Sequence, residues 1–61
     1  MKWYTLIVRD KRYGDCPGGR YDTLESAKKH LRTMSAGTEY LITKHTYDNG
    51  YERMDVEHGV L

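Results

Sequence analysis

The sequence predicts an α+β fold in which one helix packs on one face of a three- or four-stranded antiparallel or mixed sheet, in a ββαββ-like order. Three features predict it: an aromatic and β-branched run at residues 3–9, a capped amphipathic segment that begins at residues 22–25, and an Asn49-Gly50 hairpin signature. A chain of 61 residues forms a single small domain, residues 1–61, with a modest core.

The first predicted strand covers residues 3–9, whose β-branched and aromatic side chains favour extended structure. Its two apolar faces are Tyr4, Leu6 and Val8 on one side and Trp3, Thr5 and Ile7 on the other. Residues 10–20 are expected to form a loop, because Pro17-Gly18 favours a type II turn. A short second strand around Arg20-Tyr21 would make residues 3–21 a long-looped hairpin.

The helix is expected to begin at Asp22 or Thr23, either of which can cap it. Its apolar stripe recurs at helical spacing and consists of Leu24, Ala27, Leu31 and Met34. Gly37 is the expected end of the helix, because glycine commonly follows a helix C-terminus.

A second hairpin, residues 39–47 and 51–57, is predicted around Asn49-Gly50. A two-residue turn there places Lys44 opposite Asp55, and opposite charges support that register. One face then carries Leu41, Thr43, His45, Met54 and Val56, and the other carries Tyr40, Ile42, Lys44, Thr46, Arg53 and Asp55. We expect the helix to cover Leu6, Val8, Leu41, Met54 and Val56, with His45 facing it, and residues 58–61 to be frayed.

One helix covers only one face of a sheet, so the other face is expected to expose apolar side chains. The residues expected there are Trp3, Ile7, Tyr40 and Ile42, with Thr5 and Thr46 between them and Arg9, Lys44 and Arg53 around the edge. A contiguous apolar patch on a small protein usually marks an interface, and Trp, Tyr and Arg are enriched at its hot spots. The alternatives are that residues 10–21 fold over this face or that the chain self-associates through it.

Charge and cysteine content narrow the function classes. Ten Lys and Arg oppose nine Asp and Glu, but residues 1–32 carry +4 and residues 33–61 carry −3. The single cysteine, Cys16, cannot form an internal disulfide, and no apolar run is long enough for a signal peptide or a membrane span. We therefore expect a cytoplasmic protein with no membrane partner.

No catalytic or metal-binding motif is present, so we expect a protein that is not an enzyme and needs no cofactor. Ser26-Ala27-Lys28-Lys29 matches the S-x-x-K pattern but lacks the companion motifs of serine acyl-transfer enzymes. Cys16, His30, His45 and His58 are spaced too widely for a compact zinc site. Cys16 is interpreted as a loop residue without a chemical role.

A nucleic-acid-binding protein is an alternative interpretation. Aromatic side chains that could stack on bases alternate with basic ones that could neutralise phosphates: Trp3, Tyr4, Tyr13, Tyr21 and Tyr40 with Lys2, Arg9, Lys11, Arg12 and Arg20. The overall charge of +1 disfavours tight nonspecific binding, and the run typical of RNA-recognition sheets is absent.

The N-terminal strand, the segment YDTLESAKKHL and the segment EYLITKHTYDNGY together resemble small accessory proteins of bacteriophages. The resemblance implies a host-takeover or anti-defence protein that binds and blocks a bacterial host protein in the host cytoplasm. The leading hypothesis is thus a non-enzymatic protein-binding module that inhibits by steric occlusion. Its predicted partner-binding residues are Trp3, Ile7, Arg9, Lys11, Arg12, Arg20, Tyr40, Ile42 and Arg53. A structural homodimer is the third possibility.

Overall fold

The chain folds into one four-stranded antiparallel sheet and one helix, as a computed structural model of all 61 residues describes it. In chain order the elements are β1 (Lys2–Asp10), β2 (Gly14–Tyr21), α1 (Leu24–Leu31), β3 (Glu39–Asp48) and β4 (Tyr51–Val60). The strand order in the sheet is β2-β1-β3-β4, so the helix connects an edge strand to a central one. The predicted α+β class with a single helix is confirmed. That helix is neither long nor apolar enough to cross a membrane.

The segment expected to be mainly loop is instead a full strand, β2, which pairs with β1. The predicted pairing at Arg20-Tyr21 is confirmed, but the ladder continues back to Gly14. It contains a bulge at Gly18, where a Cβ would lie 2.7 Å from the Leu6 Cγ, so a glycine allows the strand to pass over that core side chain. Because β2 lies beside β1 in the sheet, residues 14–21 do not form a second layer over it.

The helix α1 begins at the predicted cap. The Oγ1 of Thr23 accepts a hydrogen bond from the Ser26 amide at 3.2 Å. The helix ends at Leu31, earlier than expected, and Gly37 instead lies in the turn before β3 with φ of +90°. The Gly37 amide donates a hydrogen bond to the Leu61 carbonyl at 2.6 Å. The expected fraying of residues 58–61 is therefore wrong: β4 continues to Val60, and Leu61 is hydrogen-bonded to the β3 entry.

The β3–β4 hairpin has the predicted register, with Lys44 opposite Asp55 and His45 opposite Met54. Asn49 and Gly50 both have positive φ, +50° and +81°, as a type I′ turn requires. This register also confirms the predicted division of the hairpin residues between the two faces of the sheet.

The prediction of which face of the β3–β4 hairpin the helix covers is wrong. Five residues are buried, namely Tyr4, Leu6, Ala27, Leu31 and Ile42. Leu6 lies opposite Ile42 and Val8 opposite Tyr40, so Tyr40 and Ile42 pack beneath the helix. Leu41, His45, Met54 and Val56, expected there, lie on the opposite face. The error arises because the β1–β3 register decides which hairpin face lies on the helix side, and a slip of one residue exchanges the two faces. Since both faces of β1 are apolar, the sequence pattern alone does not determine this register.

Candidate functional site

The candidate site is the sheet face that points away from α1, here called the open face. Side chains from all four strands form it: Trp3, Thr5, Ile7 and Arg9 of β1, Arg20 of β2, Leu41, Thr43, His45 and Tyr47 of β3, and Glu52, Met54, Val56, His58 and Val60 of β4. No second layer covers it. The face is therefore open to solvent, on a molecule that measures 40 by 20 by 16 Å.

Four of the nine predicted partner-binding residues lie on the open face: Trp3, Ile7, Arg9 and Arg20. Two more, Lys11 and Arg12, lie in the β1–β2 turn at the end of that face, exposed. The remaining three do not belong to it: Tyr40, Ile42 and Arg53 lie on the helix side of the sheet. Ile42 is 2% exposed and belongs to the core, so it cannot contact a partner.

The apolar part of the open face comes mainly from residues that sequence reasoning placed under the helix. Met54 is 62% exposed and Val56 57% exposed, and both lie on β4. Leu41 is half-buried directly opposite Ile7, which is 37% exposed. Val56 lies diagonally across from Leu41, and Met54 is two residues further along β4, so the four side chains form one diagonal apolar strip. Large exposed apolar side chains gathered on one face are typical of an interface.

Trp3 is held between two other side chains of the open face. Its ring stacks on that of His45, with centroids 5.1 Å apart and planes within 2° of parallel. The Arg20 guanidinium lies 5.1 Å from the Trp3 ring centroid. Because β1 lies between β2 and β3, Arg20 and His45 approach the indole from opposite sides. Both faces of the Trp3 ring are therefore occupied within the chain, and its edge is what remains for a partner.

His45 is fixed in turn by its own neighbours. The Thr5 hydroxyl and His45 Nε2 form a hydrogen bond of 2.9 Å across β1 and β3. On the other side of the ring, Nδ1 lies 3.6 Å from the Glu52 carboxylate, is inaccessible to solvent and makes no hydrogen bond. The pair is thus an ionic contact only when His45 is protonated, at a separation too long for a hydrogen bond.

The contacts of His45 with Thr5 and with Glu52 have the connectivity of a nucleophile, a base and an acid. A hydrolytic site also needs free donors that stabilise a developing oxyanion near the nucleophile. Thr5 lies on a central strand paired on both sides, with Arg20 and with Thr43, so the local backbone amides are used by the sheet. The contacts of His45 thus hold its ring in place between Thr5 and Glu52.

A depression with a volume of 340 Å³ lies at the end of the open face farthest from Trp3. Its apolar lining comes from Ile7, Leu41, Val60 and, from the other side of β3, Tyr40. Its polar lining is formed by Arg9, Asp15, Glu39 and His58. It is open to solvent rather than enclosed, and its volume is at the lower end of the range of small-molecule pockets.

Arg9 lies at this end of the open face between two carboxylates. Its Nε donates to Asp15 at 3.1 Å, and its Nη1 lies 3.6 Å from Glu39. The hydrogen bond to Asp15, the charge of Asp15 and the charge of Glu39 raise the Arg9 pKa above its ordinary value, so the guanidinium is charged at any physiological pH. Its side chain is 62% exposed, so these ion pairs orient the side chain and add little stability.

The other candidates from the sequence are not brought together. No three His, Cys, Asp or Glu side chains are grouped so that they could hold a metal ion. Cys16 lies in β2 as a free, half-buried thiol whose Sγ lies 3.7 Å from the Gly14 carbonyl. Comparisons with protein-family models, curated proteins and solved structures find no match to this chain.

Proposed function

We propose that the chain is a non-enzymatic protein-binding module that docks through its open face and blocks its partner by steric occlusion. The observation that carries this proposal is the uncovered apolar strip of Ile7, Leu41, Met54 and Val56. In a larger domain such a strip would be covered by a second layer. Here a partner protein would provide that layer.

The shape and charge of the open face indicate what the partner presents. The depression lined by Ile7, Leu41 and Val60 fits a protruding apolar side chain as an anchor. At the same end the β1–β2 turn holds Lys11 and Arg12 in a defined position, because the Asp10 carboxylate accepts hydrogen bonds from the Arg12 and Tyr13 amides. Lys11 and Arg12 are exposed and form no ion pair within the chain, so they are free to contact carboxylates of the partner.

The resemblance to small bacteriophage proteins makes a bacterial host protein the class of partner that we propose, with the host cytoplasm as the place of action. Blocking by occlusion needs only a rigid surface that stays bound. The stack of Arg20, Trp3 and His45 supports that rigidity, because three side chains from three strands fix one another. A preorganised surface loses less entropy on binding than a mobile one.

The nucleic-acid alternative has less support. Stacking platforms need a ring with a free face, and both faces of Trp3 are occupied. Tyr4, Tyr21 and Tyr40 point toward the helix and pack in or against the core. The aromatic side chains that suggested base stacking are thus distributed over two sides of the sheet.

The test is a pull-down from bacterial lysate with and without nuclease, followed by titration of the purified target against variants. Ile7→Lys places a charge in the middle of the open face, and we expect it to weaken binding at least tenfold. Tyr51→Lys is the matched control, because Tyr51 is 80% exposed but lies on the helix side of β4. A folded Ile7→Lys protein with full affinity would exclude the open face, and capture that disappears with nuclease would favour nucleic acid.

A further inference from the structure

The two edges of the sheet differ in how well they are protected. The β2 edge has a bulge, a proline at position 17 and two glycines with positive φ, at 14 and 19. Such features prevent another strand from pairing. The β4 edge has ten residues in regular register, without proline, lysine or bulge. All of its residues except Gly59 are exposed, and the only protective feature of this edge is its charged side chains, Glu52, Arg53, Asp55 and Glu57.

The hairpin turn determines which backbone groups point outward from that edge. In a two-residue hairpin the pair that closes the turn, here Asp48 and Tyr51, is hydrogen-bonded, and the pairs alternate from there. The β4 residues in the non-bonded pairs direct their N–H and C=O groups away from β3. These residues are Glu52, Met54, Val56, His58 and Val60.

We propose that this edge pairs with the same edge of a second copy of the chain, antiparallel and about a twofold axis at Asp55. This inference does not depend on the function proposed above, because the pairing uses backbone groups in the plane of the sheet; of the open face, only side chains on β4 take part, in setting the register. The cross-copy pairs are Met54 with Val56, Arg53 with Glu57, Glu52 with His58, and Asp55 with Asp55. Residues 52, 54, 56 and 58 of both copies then exchange about eight backbone hydrogen bonds.

Side-chain chemistry selects this register. In this register the exposed Met54 of each copy lies opposite Val56 of the other, and Arg53 of each copy lies opposite Glu57 of the other. Its one repulsive pair is at Asp55, whose carboxylate is already near the Arg53 Nε of its own chain, at 3.5 Å, and opposite Lys44. Arg53 of the second copy lies diagonally across from it as well.

The two neighbouring registers are less favourable. A twofold axis at Val56 would set Asp55 opposite Glu57 in both halves, which is a doubled like-charge contact. An axis at Met54 would keep opposite charges together, Arg53 with Asp55, but would place Glu52 against Val56 twice. Only the register centred on Asp55, of these three, pairs both Met54 and Val56 with an apolar side chain and also places Arg53 opposite an acidic residue.

The first test is the mass in solution by light scattering at several hundred micromolar. We expect twice the 7.2 kDa of one chain. Val56→Lys puts a cation against Met54 of the second copy and should raise the dimer dissociation constant at least tenfold, while circular dichroism shows the fold retained. Ile7→Lys, on β1, is the control and should leave the dimer intact. A monomeric wild type, or a dimer that Ile7→Lys disrupts and Val56→Lys does not, would overturn the proposal.

The second test fixes the register and remains informative should Val56→Lys fail to fold. In a Cys16→Ser background, Asp55→Cys places two thiols in a non-hydrogen-bonded pair on the axis, where the Cα atoms are about 4.5 Å apart and a disulfide can form. Glu57→Cys places its two thiols four residues apart along the ladder, about 14 Å. Mild oxidation should cross-link Asp55→Cys and not Glu57→Cys. Equal cross-linking of both, or of neither, would refute this register.

Discussion

Two neighbouring residues of β3, Ile42 and Leu41, offer the sharpest test of which sheet face holds the core. Ile42 is 2% exposed and packs with Tyr4, Leu6 and Leu31, so Ile42→Ala removes three carbons and leaves a cavity. Substitutions of this kind cost about 2–5 kcal/mol. Leu41 is half-buried on the open face, where solvent fills the space left by Leu41→Ala, and we expect a cost of about 1 kcal/mol or less.

The measurement is urea unfolding followed by far-ultraviolet circular dichroism. A domain of this size has a free energy of unfolding of about 3–5 kcal/mol and an m value near 1 kcal/mol/M. Ile42→Ala should therefore lower the midpoint by about 2 M or more, or prevent folding altogether, whereas Leu41→Ala should shift it by about 1 M or less. A larger loss for Leu41→Ala than for Ile42→Ala would mean that the helix covers the other face, and the assignment of the open face would be wrong.

Three further substitutions test local features of the structure. Gly18→Ala should destabilise the fold by about 1–3 kcal/mol, because the added Cβ meets the buried Leu6 side chain, and urea unfolding would show it; an unchanged midpoint would contradict the close approach. Thr23→Ala should cost about 1 kcal/mol through the lost helix cap, seen as a lower melting temperature, with Thr23→Ser as the control that keeps the hydroxyl. Arg20→Ala should uncover one face of Trp3, so that acrylamide quenches its fluorescence more strongly without loss of the sheet signal; unchanged quenching would contradict the stack.

Local signals in the sequence predicted the separate elements well. The Thr23 cap, the Asn49-Gly50 turn and the Lys44–Asp55 pair each depend on residues close in sequence, and all occur as predicted. The extent of β2 was underestimated, because glycines and a proline in GDCPGGRY are typical of a loop. Only its partner β1 makes that segment a strand, with a bulge that places Gly18 over Leu6.

The open face could be predicted only in part, since it depends on how distant segments align. The face of β1 was predicted correctly, because alternation within one strand determines it. The face of β3 was not, because Leu41 and Ile42 are equally apolar and only the pairing of Ile42 with Leu6 decides between them. The same pairing brings His45 to Trp3 and Thr5, a cluster that no spacing in the sequence announces.

The two proposed modes of association share the β3–β4 hairpin but use different groups of it, side chains in one case and backbone groups in the other. A partner on the open face contacts side chains that stand perpendicular to the sheet, whereas a second copy at the β4 edge uses backbone groups in its plane. The two modes of association are therefore geometrically compatible. Pairing at β4 would place the Met54 and Val56 side chains of both copies at the centre of one continuous face, flanked by a Trp3 stack on each side. A dimer would then present two copies of the apolar strip, and a partner with two matching sites would be held by both.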